Sequence, residues 1–228
     1  TRYYFKAFIW NNYDYYTYGS IQSFYTKGTS DESIVVPDED VYAPYRVSSF
    51  WDVPSSHWAY NHVSNLVRLG YMTGYPDSSF HPGYGITRAE IASVMVQILK
   101  INSYDSTTRH FNDVASGDWY YAAVEKIYQR GIMSGQGGYF SPNRAATREE
   151  LAEVLVKALG RQSEAANNMY ENTGFNDDSS VSDSARGYVV TAVKYGLITG
   201  YNNYFNPQNG ITRAEVAALL NTFLGKYR

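Results

Sequence analysis

The 228 residues carry 19 Lys plus Arg against 22 Asp plus Glu, a formal net charge of −3, with 44% of positions apolar and no cysteine. This excludes a disulfide framework, a thiolate metal site, the basic excess that nucleic acid or an anionic membrane would require, and a chain too polar to bury a core. The 24 Tyr, 10 Phe and 4 Trp are a composition common to carbohydrate-binding surfaces and to aromatic-rich cores.

Residues 1–46 stand apart. Tyr3-Tyr4-Phe5-Lys6-Ala7-Phe8-Ile9-Trp10 is aromatic and β-branched without helical period and reads as a strand, with a second over Ser20 to Thr26. Two such strands alone are barely stable, so the segment reads as the tail of an upstream β domain or as a piece packed on the remainder of the chain. Ser30 to Asp40, polar and acidic, reads as a linker. The chain begins at Thr1, which suggests a processed or excised piece, and no apolar run is long enough to span a membrane.

From Phe50 onward one pattern occurs three times. Phe50, Phe111 and Phe175 open a Phe-x-Asp with Asp52, Asp113 and Asp177. Gly70, Gly131 and Gly196 follow, each with a second glycine four residues on: Gly74, Gly135 and Gly200. Then come Phe80-His81-Pro82, Phe140-Ser141-Pro142 and Phe205-Asn206-Pro207. Last are Thr87-Arg88-Ala89-Glu90, Thr147-Arg148-Glu149-Glu150 and Thr212-Arg213-Ala214-Glu215. The units are 47–107, 108–172 and 173–228.

Within a unit the local signals give helix, tight loop, helix. Val63, Leu66, Val67 and Leu69 are spaced as a helical face, and Gly70 falls where a left-handed cap would stop it. The loop from the second glycine to the proline, such as Gly74-Tyr75-Pro76-Asp77, is turn-built with room for a very short strand. Thr-x-x-Glu is a capping box for the second helix, stabilising its start by roughly 1 kcal/mol. Behind it run Ile91, Val94, Met95, Ile98 and Leu99, then Leu151, Val154, Leu155, Ala158 and Leu159, then Val216, Leu219, Leu220, Phe223 and Leu224. No unit can bury such a stripe alone, so the three long helices are expected to share one core around a pseudo-threefold axis.

In these ordered motifs, over about four-fifths of the chain, the sequence resembles the surface-layer homology (SLH) domains of bacterial S-layer proteins and wall-anchored exoenzymes. The resemblance implies a mainly α fold in which three tandem helix-loop-helix repeats form one three-pronged, pseudo-threefold spindle, here with a small β-rich N-terminal segment. It implies an extracellular place at the bacterial cell wall or S-layer. It further implies non-covalent binding of secondary cell-wall polysaccharide, through a pyruvate ketal on N-acetylmannosamine, in grooves between the prongs.

The chemistry fits that ligand. Arg88, Arg148 and Arg213 sit at the first position of a helix, where free amides and the dipole favour an anion, and a guanidinium adds a planar fork for a carboxylate. Trp58 and Trp119, each twelve residues before the first glycine, and Tyr75 and Tyr201 beside the second are candidates to stack on a sugar face. Gly74, Gly135 and Gly200 suit either turn geometry or close approach of a ligand to the backbone. Taken singly, each arginine reads first as a helix-start residue paired with Glu90, Glu150 or Glu215, a preference that the threefold repetition and the resemblance reverse, and each tryptophan reads at least as readily as a core anchor. In the third repeat Ser184 replaces the tryptophan and Gly187 interrupts the helix at a cost of about 1 kcal/mol, so one groove is expected to be weak. Replacing Arg88 and Arg148 by Ala is expected to abolish binding without unfolding the chain.

No cofactor is implied. His57, His62 and His81 lack a helical zinc spacing, Asp177, Asp178 and Asp183 lack a calcium-loop pattern, and no paired-carboxylate or nucleophile-base constellation supports catalysis. The expected partner is thus a wall glycan, with no nucleic acid and no membrane insertion. Two other readings remain: an assembly element contacting S-layer lattice neighbours, and the attachment end of a surface enzyme.

Overall fold

The computed structural model describes residues 2–5, 8–10, 16–18, 22–25, 50–105 and 107–227. The first of these form four short strands: β1 (Arg2–Phe5), β2 (Phe8–Trp10), β3 (Tyr16–Tyr18) and β4 (Gln22–Tyr25). β1 pairs antiparallel with β4, and β2 antiparallel with β3. The expected strand over Tyr3 to Trp10 is therefore two strands, β4 lies in the expected Ser20 to Thr26 stretch, and β3 is not among the expected strands. The linker reading of Ser30 to Asp40 lies outside the described residues.

Seven α-helices follow among the described residues: α1 (Tyr60–Arg68), α2 (Arg88–Ile98), α3 (Tyr121–Gln129), α4 (Arg148–Ala158), α5 (Gln162–Asn167), α6 (Asp183–Lys194) and α7 (Arg213–Tyr227). The fold is mainly α and is made of tandem helical repeats. The left-handed caps are present, with φ of +75° at Gly70, +68° at Gly131 and +59° at Gly196. At the first of them Tyr71 and Met72 both return their amides to the Leu66 carbonyl, satisfying the end of α1. Capping boxes start α2 and α4, with Thr87 and Thr147 accepting from the amides of Glu90 and Glu150. Thr212 and Glu215 make the same reciprocal bonds before α7.

The second helices do not simply face one another. Besides α5 with α6, the principal helix pairings between repeats are α2 with α3, α4 with α6, and α7 with α1, so each prong joins the second helix of one repeat to the first helix of the next. Met95, Leu155 and Leu220 are buried together with Val63, Val124 and Val189 in one continuous apolar cluster. The third pairing closes the circle, since α1 and α7 lie at opposite ends of the repeat array. It carries a polar clasp where the Asn221 amide donates to the His62 and Ala217 carbonyls, 2.9 Å each, and accepts from Asn65 at 2.5 Å.

At the axis the residues just before the Thr-Arg pairs form a ring. Ile86 N donates to Ile211 O at 3.0 Å, Ala146 N to Ile86 O at 2.9 Å, and Ile211 N to Ala146 O at 2.9 Å. Ile86, Ala146 and Ile211 are buried there. Their ladder bonds have nowhere else to go inside a core, so the three repeats satisfy one another.

Two features of the loops were hidden in the motifs. The aspartate of Phe-x-Asp does not start a helix. Asp113 accepts from Phe140 N at 2.8 Å and Ser141 N at 2.7 Å, and Asp52 and Asp177 hold Phe80-His81 and Phe205-Asn206 in the same way. The carboxylate pins a strained turn, because His81, Ser141 and Asn206 have φ of +53°, +58° and +55°. The very short strands are single bridges, Gln136 with Tyr139 and Tyr201 with Tyr204, across Gly137-Gly138 and Asn202-Asn203, all with positive φ.

Gly187 has a packing cause. A Cβ there would lie 2.9 Å from the Ala165 carbonyl carbon and 3.2 Å from Met169 Cα, so α5 can cross α6 only over a glycine. The longer spacing between the second and third Thr-Arg pairs accommodates α5, and the helical cost of Gly187 is offset by this contact.

Candidate functional site

Each motif arginine reaches into the next repeat. Arg88 donates through Nε to Phe140 O at 2.8 Å, through Nη2 to Ser134 O at 2.5 Å and through Nη1 to Glu150 at 2.7 Å. Arg148 donates to Phe205 O at 2.8 Å and Thr199 O at 2.7 Å. Arg213 closes the cycle on the first repeat, to Phe80 O at 2.9 Å, Thr73 O at 2.7 Å and Glu90 at 3.4 Å. Each guanidinium also lies over the phenyl ring of the turn it holds, 4.6 Å from the centroid for Arg88 on Phe140 and for Arg213 on Phe80, and 5.4 Å for Arg148 on Phe205.

The expectation of free helix-start amides is corrected by the same geometry. Arg88 N donates to Arg144 O and Ala89 N to Pro142 O, both at 3.0 Å, while Glu90 N serves the cap. The equivalent amides of α4 and α7 reach Asn209 and Pro207, and Tyr84 and Pro82. These groups are spent on joining repeats.

The three arginines differ in what remains. Burial lowers the Arg88 and Arg148 pKa values from their ordinary level, opposed by Glu150 and Glu215 respectively. Glu150 is shared by Arg88 and Arg144. Burial disfavours its charge, but the bonds from Arg144 and Thr147 and the neighbouring guanidinium charges outweigh this and hold its carboxyl below the ordinary value. Arg148, by contrast, keeps Nη1 3.9 Å from Glu215, an ion pair beyond hydrogen-bonding distance.

Gly74, Gly135 and Gly200 make room for the opening phenylalanines. A Cβ would collide with Phe50 Cε1 and lie 2.6 Å from Phe50 Cζ and from Ser79 O in the first repeat, 2.5 Å from Phe111 in the second, and 2.7 Å from Tyr204 O in the third. None has a positive φ, so close packing rather than turn geometry requires them.

A cleft of about 410 Å³ opens between Arg88, the loop at Gly135-Gln136, the first turns of α4 and Ser184. The segment in which Ser184 replaces tryptophan therefore serves the groove of Arg88. By the same relation between repeats, the segment of Trp58 ahead of α1 corresponds to the groove of Arg148 and the Tyr201 loop, and that of Trp119 ahead of α3 to the groove of Arg213 and the Tyr75 loop. Trp58 is 60% exposed and Tyr201 77%, whereas Trp119 is half-buried against Tyr120. Tyr75 contacts His81 edge-on at 4.5 Å and lies under Arg213.

Arg144, Glu149 and Glu153 line the cleft and were missed from the sequence. The available signal was Glu149, which stands where the other repeats have Ala89 and Ala214. It is buried and accepts from Ser182 Oγ at 2.6 Å and Ser182 N at 3.1 Å, tying α4 to α6. Among the described residues no group of carboxylates and histidines has metal-binding geometry, and no helix is long and apolar enough to cross a membrane.

Comparison with known proteins agrees with this architecture. The S-layer homology domain family matches at residues 49–92, 110–152 and 174–217. The chain is 33% identical over 186 residues, 81% of its length, to an amylopullulanase of Thermoanaerobacterium thermosulfurigenes. It is 34% identical over 171 residues to the exoglucanase XynX of Acetivibrio thermocellus, and 29% over 172 residues to the S-layer protein sap of Bacillus anthracis, 75% of its length in each case. It spans only 10%, 16% and 21% of those proteins, respectively. The three repeats, each leaning on the next, belong to the S-layer homology domain family, whose members hold surface proteins and S-layers to the bacterial cell wall.

Proposed function

We propose that this anchoring module binds pyruvylated secondary cell-wall polysaccharide, through the ketal on N-acetylmannosamine, in the grooves between its repeats. The observation that carries the reading is the groove of Arg148. Its Nη1 is not hydrogen-bonded to Glu215, and the cyclic order of the repeats assigns the exposed Trp58 and Tyr201 to this groove. A ligand carboxylate can take the open edge of the guanidinium while an apolar sugar face lies on an aromatic ring. Arg213, with Glu90 at 3.4 Å and with Trp119 and Tyr75, forms a tighter version. Arg88 and the glycines Gly74, Gly135 and Gly200 shape the groove walls. Several grooves on one chain meeting a repeating polymer give avidity beyond that of any one groove. The chain has no catalytic role in this reading, and the hydrolase names among its relatives favour its being the attachment end of a surface enzyme.

The test is adsorption to purified wall sacculi. Native sacculi should retain the chain, and sacculi stripped of pyruvate should not. Trp58→Ala and Tyr201→Ala, both at exposed positions, should weaken retention at least about tenfold while leaving the helical circular dichroism unchanged. Equal retention on stripped sacculi overturns the reading.

A further inference from the structure

The three grooves differ in charge. Facing the Arg88 cleft are Arg88, Arg144, Glu149, Glu150 and Glu153, two arginines against three glutamates. The matching positions in the groove of Arg148 are Asn209, Ala214, Glu215 and Ala218. In the groove of Arg213 they are Tyr84, Ala89, Glu90 and Ser93. Each of those grooves therefore sets one arginine against one glutamate at these positions.

Both cations of the cleft are already engaged by its own Glu150. The Nε and both Nη atoms of Arg88 are bonded within the protein, with Nη1 on Glu150 at 2.7 Å where the matching bond of Arg213 to Glu90 is a longer 3.4 Å. Both Nη atoms of Arg144 rest on Glu150, and Nη1 also donates to Ala145 O at 3.0 Å. A ligand carboxylate would compete with Glu150 for these guanidinium groups while approaching Glu153, whose side chain is 30% exposed and paired with Lys157 at 2.6 Å. The cleft also lacks the tryptophan of the other two grooves. It does offer carboxylate oxygens as acceptors for hydroxyl groups and a half-exposed tyrosine ring at Tyr139. Its volume is that of a small-ligand site, for which roughly 300–1,000 Å³ is usual.

We propose that this cleft takes a pyranose of the wall polymer that carries no acidic substituent. The inference rests on reading the inter-repeat grooves as glycan sites, and it assigns them different sugars. Ser184 is then the open side of a differently selective groove, not the scar of a lost one. The acid-bearing residue is left to the grooves of Arg148 and Arg213, and a neutral residue of the same polymer falls to the Arg88 cleft.

Amide and indole NMR of the full chain tests this with two probes, the methyl glycoside of N-acetylmannosamine and the same glycoside bearing a 4,6-pyruvate ketal. The neutral probe should shift the amides of Gln136 and Ser184 saturably, with the ketal at least about tenfold weaker there. The ketal should shift the Trp58 indole. Changing Glu149→Ala together with Glu153→Ala, which installs the alanines found at 214 and 218, should raise ketal affinity at Ser184 about tenfold. The proposal is overturned if the ketal matches the neutral probe at Gln136 and Ser184, if the neutral probe leaves them unmoved, or if the double variant gains nothing. A Trp58 indole that ignores the ketal refutes the broader groove reading instead, so the two failures are separable.

Discussion

Arg213→Ala should be among the most damaging single changes in the repeats, because it opens the ring at the join between the last repeat and the first. The side chain is 7% exposed and spans residues 133 to 140 positions away, donating to Phe80 O and Thr73 O and facing Glu90. Removing it strands two carbonyls and leaves Glu90 without its cross-repeat cation. Breaking a buried charge pair from one side costs about 3–5 kcal/mol. In a unit of this size that lowers the melting temperature by about 10 °C. Arg148→Ala makes the useful comparison, since it loses similar carbonyl bonds but only a 3.9 Å ion pair, and it should cost about 1 kcal/mol less. Thermal and urea unfolding followed at 222 nm give both values. Loss of less than about 1 kcal/mol in Arg213→Ala, or a larger loss in Arg148→Ala, would refute the view that these arginines close the ring.

The same bonds revise the expectation that Arg88→Ala leaves the fold intact: it should destabilise, and a loss of wall binding in that variant must be read against its melting curve. Gly135→Ala should cost about 3 kcal/mol by driving a methyl group into Phe111, whereas Gly131→Ala, with open space but a φ of +68°, should cost only about 1 kcal/mol. Glu150 has a folded pKa below its ordinary 4.5. The stability it contributes is complete above that pH and fades as pH falls through the lower folded value, so Glu150→Gln should flatten the acid limb of a stability-versus-pH curve. Gly187→Ala should detach α5 from α6, read as faster hydrogen exchange at the amides of Ala165 and Asn168, with the α2 amides unaffected.

The elements that the sequence made legible are those written in local chemistry. Thr87, Thr147 and Thr212 cap helices because an oxygen beside an orphan amide has one good use, and Gly70, Gly131 and Gly196 stop helices because an L side chain resists positive φ. The repeats announced themselves through spacing, and with them came the S-layer homology assignment. What stayed hidden was the direction of longer contacts. Arg88 and Glu150 are 62 residues apart, and each carries an equally good local partner on paper. Asp113 precedes a helix but serves a turn that arrives 27 residues later. Ser184 was legible as a departure from the pattern. Its groove was not, because α6 pairs with the preceding repeat rather than with its own second helix.

The cycle of backbone bonds through Ile86, Ala146 and Ile211 has a mechanical meaning. An open stack of repeats unravels from its ends, one unit at a time. In a closed circle no unit is terminal, and pulling on any one loads its two neighbours together. Tension on whatever the module anchors would then be borne in parallel by three joints, and the attachment should yield abruptly as a whole rather than by gradual peeling.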